Sequence, residues 1–300
     1  MTVTETWTVG RLLTWTTEYL QKNGSQSARL DAEVLLSHAL ECQRIELYTT
    51  FDTEPSEEGK TAFREMVRRR AEGTPVAYLV GYKEFYSETF EVNPDVLIPR
   101  PETEHLVVEA LDRAKELVAA REQSGASGDG KLSVCDVGTG SGIIAISLAT
   151  QFSDCEVLAI DKSAAALELA ERNARKIEVP PEQIQFLQSD LLSECEAGQK
   201  FDLIVSNPPY VSEAEYRELD KSVREFEPEL ALVSGPDGSE LLAELMQQAA
   251  NFLVPDGFLM VEASPMLFDR LNDWQPAGWV CEKITKDLAG LGRVGTFRLA

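Results

Sequence analysis

A strand, a glycine-rich turn and a helix follow one another between residues 132 and 150, and this order restricts the possible fold most. Residues 132–137 form an apolar run typical of a buried strand, residues 138–142 read Gly-Thr-Gly-Ser-Gly, and residues 143–150 suit a buried helix. Because only glycine lets the backbone approach a ligand closely, this order predicts a nucleotide-binding α/β unit. The spacing differs from the Gly-x-Gly-x-x-Gly of dinucleotide-binding folds, so a plain tight turn stays open as an alternative.

Three later apolar runs, at residues 156–160, 184–187 and 201–205, also end in polar residues. Parallel strands bring their carboxyl ends to one edge of a sheet, where open α/β folds bind ligands. Asp161 follows the glycines by about 20 residues, so we expect it to accept hydrogen bonds from ribose hydroxyls. We expect Asp190 to bind the amino group of adenine and Leu191 to cover the ring, although Asp190 could instead cap a turn.

The segment Ser-Asn-Pro-Pro-Tyr at residues 206–210 follows the last of these runs. The side-chain carbonyl of Asn207 can accept one N–H, and the backbone carbonyl of Pro208 can accept a second, so together they can hold a planar –NH₂ group. Tyr210 can stack on that group. Pro208 and Pro209 fix the backbone and hold the acceptors in place. The alternative is a turn without chemistry, since Asn and Pro both favour turns.

A planar nitrogen is a poor nucleophile, because its lone pair is delocalised into the neighbouring π system. Acceptors on both N–H bonds make the lone pair more available and oppose the positive charge that builds on nitrogen in the transition state. The segment at residues 206–210 therefore predicts group transfer to an amide nitrogen or to an exocyclic amine on a base. No cysteine lies beside the segment, which disfavours a covalent cysteine mechanism.

The first 82 residues predict a small helical domain. Apolar residues at helical spacing predict helices over about residues 9–20, 27–40 and 57–72. Within the second helix we expect Leu30 to belong to the apolar stripe and His38 to be packed or half-exposed. The arginines at residues 68–70 predict a solvated face. This domain has no catalytic constellation, and we expect it to recognise the substrate.

Several segments connect the predicted helices and strands. Residues 85–92 alternate as a hairpin would and are expected to bridge the two domains, while residues 124–130 predict a flexible connector. Arg100 stands between two prolines just before a helix, where it either anchors the structure or braces the active site. The stretch at residues 226–238 predicts a long loop that covers the site or a plain surface connector.

The net charge of the chain argues against a nucleic-acid substrate. The chain has 28 Lys and Arg against 51 Asp and Glu, a net charge of −23, and residues 86–300 carry 18 basic against 38 acidic side chains. A surface that binds polyphosphate should be basic. We therefore expect no direct nucleic-acid partner, while a local basic cleft stays open.

Targeting and metal signals are absent from the sequence. Residues 1–5 lack the basic start of a signal peptide and no apolar run approaches 18 residues, so we expect a cytoplasmic protein without a membrane span. Five scattered cysteines suit reduced thiols, and two histidines without a ligand cluster predict no metal site.

Four segments together resemble the peptide chain release factor glutamine methyltransferases. They read Leu-Ile-Pro-Arg-Pro-Glu-Thr-Glu at 97–104, Gly-Thr-Gly-Ser-Gly at 138–142, Ser-Asn-Pro-Pro-Tyr at 206–210, and Glu-Pro at 227–228 followed by Ser-Gly-Pro-Asp-Gly at 234–238. Their order and spacing agree with that family over almost the whole chain. The resemblance implies an α/β fold, a Rossmann-like class I methyltransferase sheet with a small helical N-terminal domain joined by a β-hairpin. It also implies methylation of the side-chain amide nitrogen of the Gly-Gly-Gln glutamine in bacterial-type release factors, with S-adenosyl-L-methionine as cofactor.

The resemblance carries residue roles with it. Implied cofactor contacts are Gly138, Thr139, Gly140, Ser141, Gly142, Asp161, Leu191 and Asn207, and the strand-end argument above adds Asp190. Implied substrate contacts are Asn207, Pro208, Pro209 and Tyr210, and the catalytic group consists of Asn207, Pro208 and Tyr210. From its place between two prolines, Arg100 is expected beside the substrate as well. Two positions depart from the family, which often has tryptophan in place of Leu191 and Glu-Ile-Gly in place of Glu-Ala-Ser at 262–264.

Two other functions stay open. An adenine-N6 methyltransferase acting on DNA or RNA could use the same grip on a flipped base, and a cofactor-binding scaffold could have lost catalysis.

The expected division is a recognition domain at 1–82, a hairpin linker at 83–100 and a methyltransferase domain at 101–300. We expect a monomer.

Overall fold

A computed structural model describes residues 6–123 and 131–300. The predicted flexible connector at 124–130 and the first five residues lie outside the described residues. The chain divides into two compact units, one of residues 6–82 with Asp220–Phe226 and one of Lys83–Leu219 with Glu227–Ala300. The recognition role of the first unit and the linker role of the hairpin stay predictions.

The described strands are β1 (Tyr82–Phe85), β2 (Glu88–Glu91), β3 (Leu132–Val137), β4 (Cys155–Asp161), β5 (Ile184–Gln188), β6 (Phe201–Ser206), β7 (Leu253–Glu262), β8 (Trp279–Lys286) and β9 (Gly292–Leu299). β1 and β2 form a two-stranded sheet. Their turn residues, Tyr86 and Ser87, both have positive φ. This is the hairpin that the sequence predicts.

The described helices are α1 (Val9–Lys22), α2 (Ala28–Ala39), α3 (Glu46–Thr49), α4 (Glu57–Ala71), α5 (Val76–Val80), α6 (Glu104–Gln123), α7 (Ile143–Gln151), α8 (Ala164–Lys176), α9 (Glu213–Glu218), α10 (Lys221–Arg224), α11 (Glu240–Ala249), α12 (Pro265–Asp269) and α13 (Leu271–Trp274). Short 3₁₀ helices cover Pro101–Thr103 and Glu229–Ala231. None of the helices within residues 6–123 and 131–300 combines the length and the apolarity that crossing a bilayer requires.

The larger sheet has the strand order β5-β4-β3-β6-β7-β9-β8. The strands from β3 to β7 pair in parallel, and β9 pairs antiparallel with both β7 and β8. After β3 the chain builds β4 and β5 on one side and then returns to place β6 and β7 on the other. The carboxyl ends of β3 and β6 therefore flank the point where the strand order reverses, which is where such sheets bind ligands. This arrangement confirms the predicted Rossmann-like α/β fold.

Helices cover both faces of this sheet. Successive residues of β3 point to opposite faces, so Val134 packs in the layer with α6 and α7, while Cys135 packs in the layer with α11. Burial on both faces explains why the central strands read as continuous apolar runs. Trp274 and Trp279 are both 6% exposed, as expected of core residues.

The helical unit has its own apolar core, built mainly by α1, α2 and α4. Three expectations for this unit are wrong. Leu30 is 46% exposed, and His38 is exposed rather than packed or half-exposed. Arg70 is not on a solvated face, because its Nε donates to the buried Asp31 at 2.8 Å. A buried carboxylate needs a charged or polar partner, and this requirement draws Arg70 inward.

Candidate active site

A crevice of about 320 Å³ lies at the carboxyl ends of β3, β4, β5 and β6. Its volume is near the lower end of the range for small-molecule sites. The predicted site residues that line it are Arg100, Gly138, Thr139, Gly140, Ser141, Asp161, Asp190, Leu191, Asn207 and Pro209. The predicted residues Gly142, Pro208 and Tyr210 are not among its lining residues. The crevice thus contains most of the residues expected to contact cofactor and the leading residue of the Asn-Pro-Pro-Tyr segment.

The glycine loop forms one wall of the crevice. The backbone N–H groups of Gly138 and Thr139 both donate to Ile160 O at 2.8 Å, which ties the loop to the end of β4. Gly140 has φ 55°, and a Cβ added there would meet no atom within 4 Å. A side chain at this position would be strained and would stand in the open crevice. The loop therefore presents bare backbone to a ligand, as a nucleotide-like cofactor requires.

Asp136, the fifth residue of β3, is hydrogen-bonded to this loop and to the helix after it. Its Oδ2 accepts from the Thr139 hydroxyl at 2.7 Å and from Ala145 N–H at 3.0 Å. Among the described residues, its Oδ1 is buried without a hydrogen-bond partner. Burial raises the pKa of Asp136 to about 7, although the bonds from Thr139 and Ala145 lower it. Asp136 therefore holds the loop and the start of α7 together.

Asp161 at the end of β4 also binds the loop. Its Oδ2 accepts from Gly140 N–H at 2.9 Å, and its Oδ1 accepts from Ser163 N–H at 2.8 Å. Burial raises the pKa of Asp161, and the three backbone N–H groups that bind it lower the pKa. Each carboxylate oxygen has a second lone pair, so Asp161 can fix the loop and still accept bonds from a ligand. Its role as a ribose acceptor stays a prediction.

The third strand end contributes the segment from Ser189 to Leu191. The carboxylate of Asp190 pairs with Lys162 Nζ at 2.7 Å, and both side chains are more than half exposed. Leu191 has a φ of 51° and partly packs against the apolar layer that contains α11. The structure therefore places these two residues at the crevice, and their contacts with adenine stay predictions.

Asn207 lies at the opposite wall, directly after β6. The Ser206 hydroxyl donates to Val137 O at 2.6 Å, which locks the end of β6 against β3. Asn207 Nδ2 donates to Thr103 Oγ1 at 3.1 Å. With the amide nitrogen engaged by Thr103, the side-chain carbonyl Oδ1 is the atom of Asn207 left to accept a bond from a ligand. This is the acceptor that the sequence predicts.

Tyr210 ends the same segment. Its hydroxyl donates to Glu262 Oε1 at 3.4 Å. Burial, reinforced by the negative charge of Glu262, raises the pKa of Tyr210. The hydroxyl therefore stays protonated at neutral pH, which suits a residue that packs and orients a substrate and does not suit a general base.

The loop at residues 226–238 borders the crevice and supports the Asn207 corner. Pro228, Leu230 and Ala231 are among the crevice-lining residues. Val211 N–H donates to Leu232 O at 2.9 Å and Ser234 N–H donates to Val211 O at 3.0 Å. The loop is thus hydrogen-bonded to the chain directly after Tyr210.

Gly238 makes a close approach in this loop. Its φ is +80°, and an added Cβ would lie 2.6 Å from Tyr210 O. Glycine is required here on both counts, because the backbone is left-handed and a backbone carbonyl occupies the place of a side chain.

Arg100 binds the same loop. Its Nη2 pairs with Glu227 Oε1 at 2.5 Å, and Glu227 Oε2 accepts from Ile98 N–H at 3.1 Å. Glu227 is 5% exposed, so the pair is largely desolvated on its acidic side. Arg100 therefore joins the segment before α6 to the loop, and it also lines the crevice. Its contact with substrate stays a prediction.

Sequence reasoning missed three residues of this site, Thr103, Glu227 and Glu262. Each lay inside a quoted segment without being given a role. A signal did exist for Glu262, since a charged residue ends an apolar strand there and β7 pairs in parallel with β6. Because Ser206 pairs with Val261, Glu262 falls level with Asn207.

Two family models and several named proteins match the chain. A family model described as the PrmC N-terminal domain matches residues 11–81, and one described as the methyltransferase small domain matches residues 109–225. The chain is 49% identical to the release factor glutamine methyltransferase of Rhodopirellula baltica, over 96% of this chain and 95% of that protein. It is 38% identical to the protein of the same name from Koribacter versatilis, over 92% of this chain and 93% of that protein.

Solved structures that resemble the chain include a ribosomal protein L11 methylase from Lactobacillus delbrueckii subsp. bulgaricus. It is 21% identical, with a TM-score of 0.48, over 73% of this chain and 90% of that one.

Proposed function

This chain belongs to the release factor glutamine methyltransferases, and we propose from this membership that Asn207 presents the substrate amide inside the crevice. The chain is a methyltransferase that uses S-adenosyl-L-methionine and acts on release factors. The proposed target atom is the side-chain amide nitrogen of the glutamine in a Gly-Gly-Gln motif. One observation carries the proposal: the Asn207 amide is fastened to Thr103 through Nδ2, which leaves its carbonyl oxygen free as an acceptor at the crevice wall.

The crevice suits the cofactor. The glycine loop offers bare backbone at Gly140, and the carboxylate of Asp161 lies beside it. We assign the loop residues Gly138, Thr139, Gly140, Ser141 and Gly142, together with Asp161, Asp190 and Leu191, to cofactor binding. When bound, S-adenosylmethionine supplies a methyl group attached to a positively charged sulfur.

The Asn-Pro-Pro-Tyr corner suits a planar amide. Asn207 Oδ1 and the backbone carbonyl of Pro208 accept the two N–H bonds of the glutamine amide, and Tyr210 packs against its plane. The acceptors oppose the positive charge that builds on the nitrogen as its bond to the methyl carbon forms and the bond from that carbon to sulfur breaks, with the electron pair of the broken bond staying on sulfur. The nitrogen then loses one proton to water. Because the corner is held rigidly by two prolines, much of the acceleration comes from alignment.

Replacement of Asn207 by alanine tests this proposal. We expect Asn207→Ala to lower the turnover of a purified release factor by about 100- to 1,000-fold, the usual loss when one transition-state partner is removed. Mass spectrometry of the peptide that contains the Gly-Gly-Gln motif measures the methylation. The variant should still fold, because Asn207 is only partly buried and its side chain loses one hydrogen bond, to Thr103, worth about 1 kcal/mol; thermal unfolding measures this.

Asn251→Ala is the matched control, since Asn251 is exposed and lies outside the crevice. This variant should methylate the release factor at the wild-type rate. Wild-type turnover by Asn207→Ala would overturn the assignment of the corner.

The oligomeric state and the binding partners are also part of the proposal. We propose that the chain acts as a monomer in the cytoplasm and binds release factors without binding nucleic acid directly. Residues 86–300 carry 18 basic against 38 acidic side chains, a balance that opposes binding to a phosphate backbone. Sedimentation measures the oligomeric state, and titration with a DNA duplex at low and high salt measures binding. A steep loss of DNA affinity with salt would revive an adenine methyltransferase.

A further inference from the structure

Glu262 is a buried carboxylate that the proposed mechanism does not use. It is the last residue of β7 and is 2% exposed. The parallel pairing of β6 with β7 places Ser206 beside Val261, so Glu262 is level with Asn207 at the edge of the sheet. A buried carboxylate costs several kcal/mol unless polar partners satisfy it. Its presence beside the corner therefore calls for a role.

The partners of Glu262 belong to the corner itself. Its Oε1 accepts from the Tyr210 hydroxyl at 3.4 Å. Its Oε2 is buried and, within the described part of the chain, has no hydrogen-bond partner. The hydroxyl of Thr103 is the other donor near this carboxylate; burial raises the pKa of Glu262, and the Thr103 hydroxyl opposes that rise. Thr103 is fully buried.

Thr103 joins Glu262 to the amide of Asn207. Thr103 Oγ1 accepts from Asn207 Nδ2 at 3.1 Å. A hydroxyl has one hydrogen to donate and can also accept. If the Thr103 hydrogen points to the Glu262 carboxylate, Thr103 can only accept from Asn207. The nitrogen of the Asn207 amide must then face Thr103, and the carbonyl oxygen must face the crevice.

Without this constraint the amide could turn over. The two ends of an asparagine side chain have nearly the same shape, and a hydroxyl alone can pair with either end. A reversed amide would present an –NH₂ group to the –NH₂ of a substrate glutamine. Two donors would then face each other, and the substrate nitrogen would lose its acceptor.

We propose that Glu262 is a positioning residue which, through the Thr103 hydroxyl, fixes the direction of the Asn207 amide and, through the Tyr210 hydroxyl, fixes the other end of the same segment. The inference rests on the proposed function of Asn207 as the acceptor for the substrate amide. It also gives the segment around Thr103 a role, because the Thr103 hydroxyl connects Asn207 after β6 with Glu262 at the end of β7.

The direction of the link depends on the charge of Glu262. The charged groups that influence this carboxyl are Glu102, which raises its pKa, and Arg293, which lowers it. Arg293 also pairs with Asp287 at 2.8 Å. Burial outweighs these contributions and raises the pKa of Glu262 to about 7. Once protonated, Glu262 can donate to Thr103, which frees Thr103 to donate to Asn207 and so reverse the amide.

The test compares Thr103→Val with Thr103→Ser. Valine has nearly the shape of threonine and serine is smaller, but only serine keeps the hydroxyl. We expect Thr103→Val to lower kcat for a purified release factor by on the order of 10- to 100-fold, as expected for a misplaced reacting group. Thr103→Ser should retain most of the wild-type kcat. Cofactor affinity, measured by calorimetry with S-adenosylmethionine, should be unchanged in both.

Glu262→Gln is the second variant, because it keeps the shape and removes the charge. We expect a comparable loss of kcat and the disappearance of the acid limb near pH 7 from the pH profile of kcat. The double variant with Thr103→Val should lose no more than either single variant, since both act through one link. Glu156→Gln, an exposed glutamate on β4, is the matched control and should keep the wild-type rate and profile.

The outcomes separate this inference from the proposed function. If Asn207→Ala abolishes methylation while Glu262→Gln and Thr103→Val keep the wild-type kcat and its acid limb, the function stands and the positioning role is wrong. A loss in Thr103→Ser equal to that in Thr103→Val would also overturn the role, because the hydroxyl would not be what matters. If Asn207→Ala is fully active, both proposals fail.

Discussion

Two buried carboxylates hold the two walls of the crevice, and they are held in different ways. Asp136 lies under the glycine loop and Glu262 lies behind the Asn207 corner, and burial raises the pKa of each to about 7. Each also has one buried oxygen without a partner among the described residues. Asp136 binds Thr139 and Ala145, which are three and nine residues away along the chain. Glu262 binds Tyr210, which is 52 residues away.

This difference separates a local wall from an assembled one. The wall expected to hold cofactor is a single strand-turn-helix segment whose buried carboxylate binds its own neighbours. The wall expected to hold substrate exists only when the segment before α6 and the ends of β6 and β7 are brought together. We therefore expect substitutions in the first wall to affect stability and cofactor affinity, and substitutions in the second to affect turnover.

The largest expected effect concerns Asp136 and the pH dependence of stability. The pKa of Asp136 in the folded chain is raised from 3.8 to about 7. The stability that the protonated carboxyl gives the folded chain is therefore complete below pH 3.8 and is lost as the pH rises through 7. Asp136→Asn does not titrate. Relative to wild type, its free energy of unfolding should therefore improve by about 3 kcal/mol between pH 5 and pH 8. Urea unfolding at several pH values measures this change.

Asp269→Asn is the control for this comparison, since Asp269 is exposed. It should follow the wild-type dependence of stability on pH. An Asp136→Asn variant that runs parallel to wild type at every pH would show that the loop carboxylate is not the buried group that we describe.

The local wall is also the part of the fold that the sequence predicts best. The bounds of β3 could be predicted to the residue, because burial on both faces produces a continuous apolar run and the glycine loop ends it. The hairpin and the helices α1 and α4 could be located from periodicity in the same way. In each case the signal is contained in a short stretch of chain.

What the sequence does not predict is set by distant contacts. The edge order β7-β9-β8 depends on pairing between strands, which no single strand encodes. Thr103 and Glu262 were missed for a similar reason, since the role of each depends on a partner elsewhere in the chain. No helix was predicted over α8, although its buried residues, including Ala166, Ala170 and Ala174, recur at helical spacing and could have located it.

Gly238 tests whether the assembled wall controls turnover. Alanine at Gly238 would have a left-handed backbone and a Cβ 2.6 Å from Tyr210 O. We expect Gly238→Ala to shift the corner, to destabilise the chain by about 2 kcal/mol, and to lower kcat on the order of 100-fold. Cofactor affinity should change little. Methylation kinetics and calorimetry measure the two effects separately.

Gly278→Ala is the matched control for Gly238, because Gly278 has a φ of +89° and no atom within 4 Å of an added Cβ. It isolates the backbone strain, which we expect to cost about 1 kcal/mol without a change in kcat. An equal fall of kcat in both variants would mean that general destabilisation, and not displacement of Tyr210, is responsible.

The smallest expected effect concerns Gly140 in the local wall. Alanine there has room, since no atom lies within 4 Å of an added Cβ, but it adopts a φ of 55° and projects into the crevice. We expect Gly140→Ala to weaken cofactor binding about 10-fold, or about 1.4 kcal/mol, while kcat at saturating cofactor stays close to wild type. Gly198→Ala, with a similar left-handed backbone outside the crevice, should leave affinity unchanged. A loss of kcat with unchanged affinity in Gly140→Ala would remove the distinction between the two walls, because the loop would then act on the reacting atoms as the Asn207 corner does.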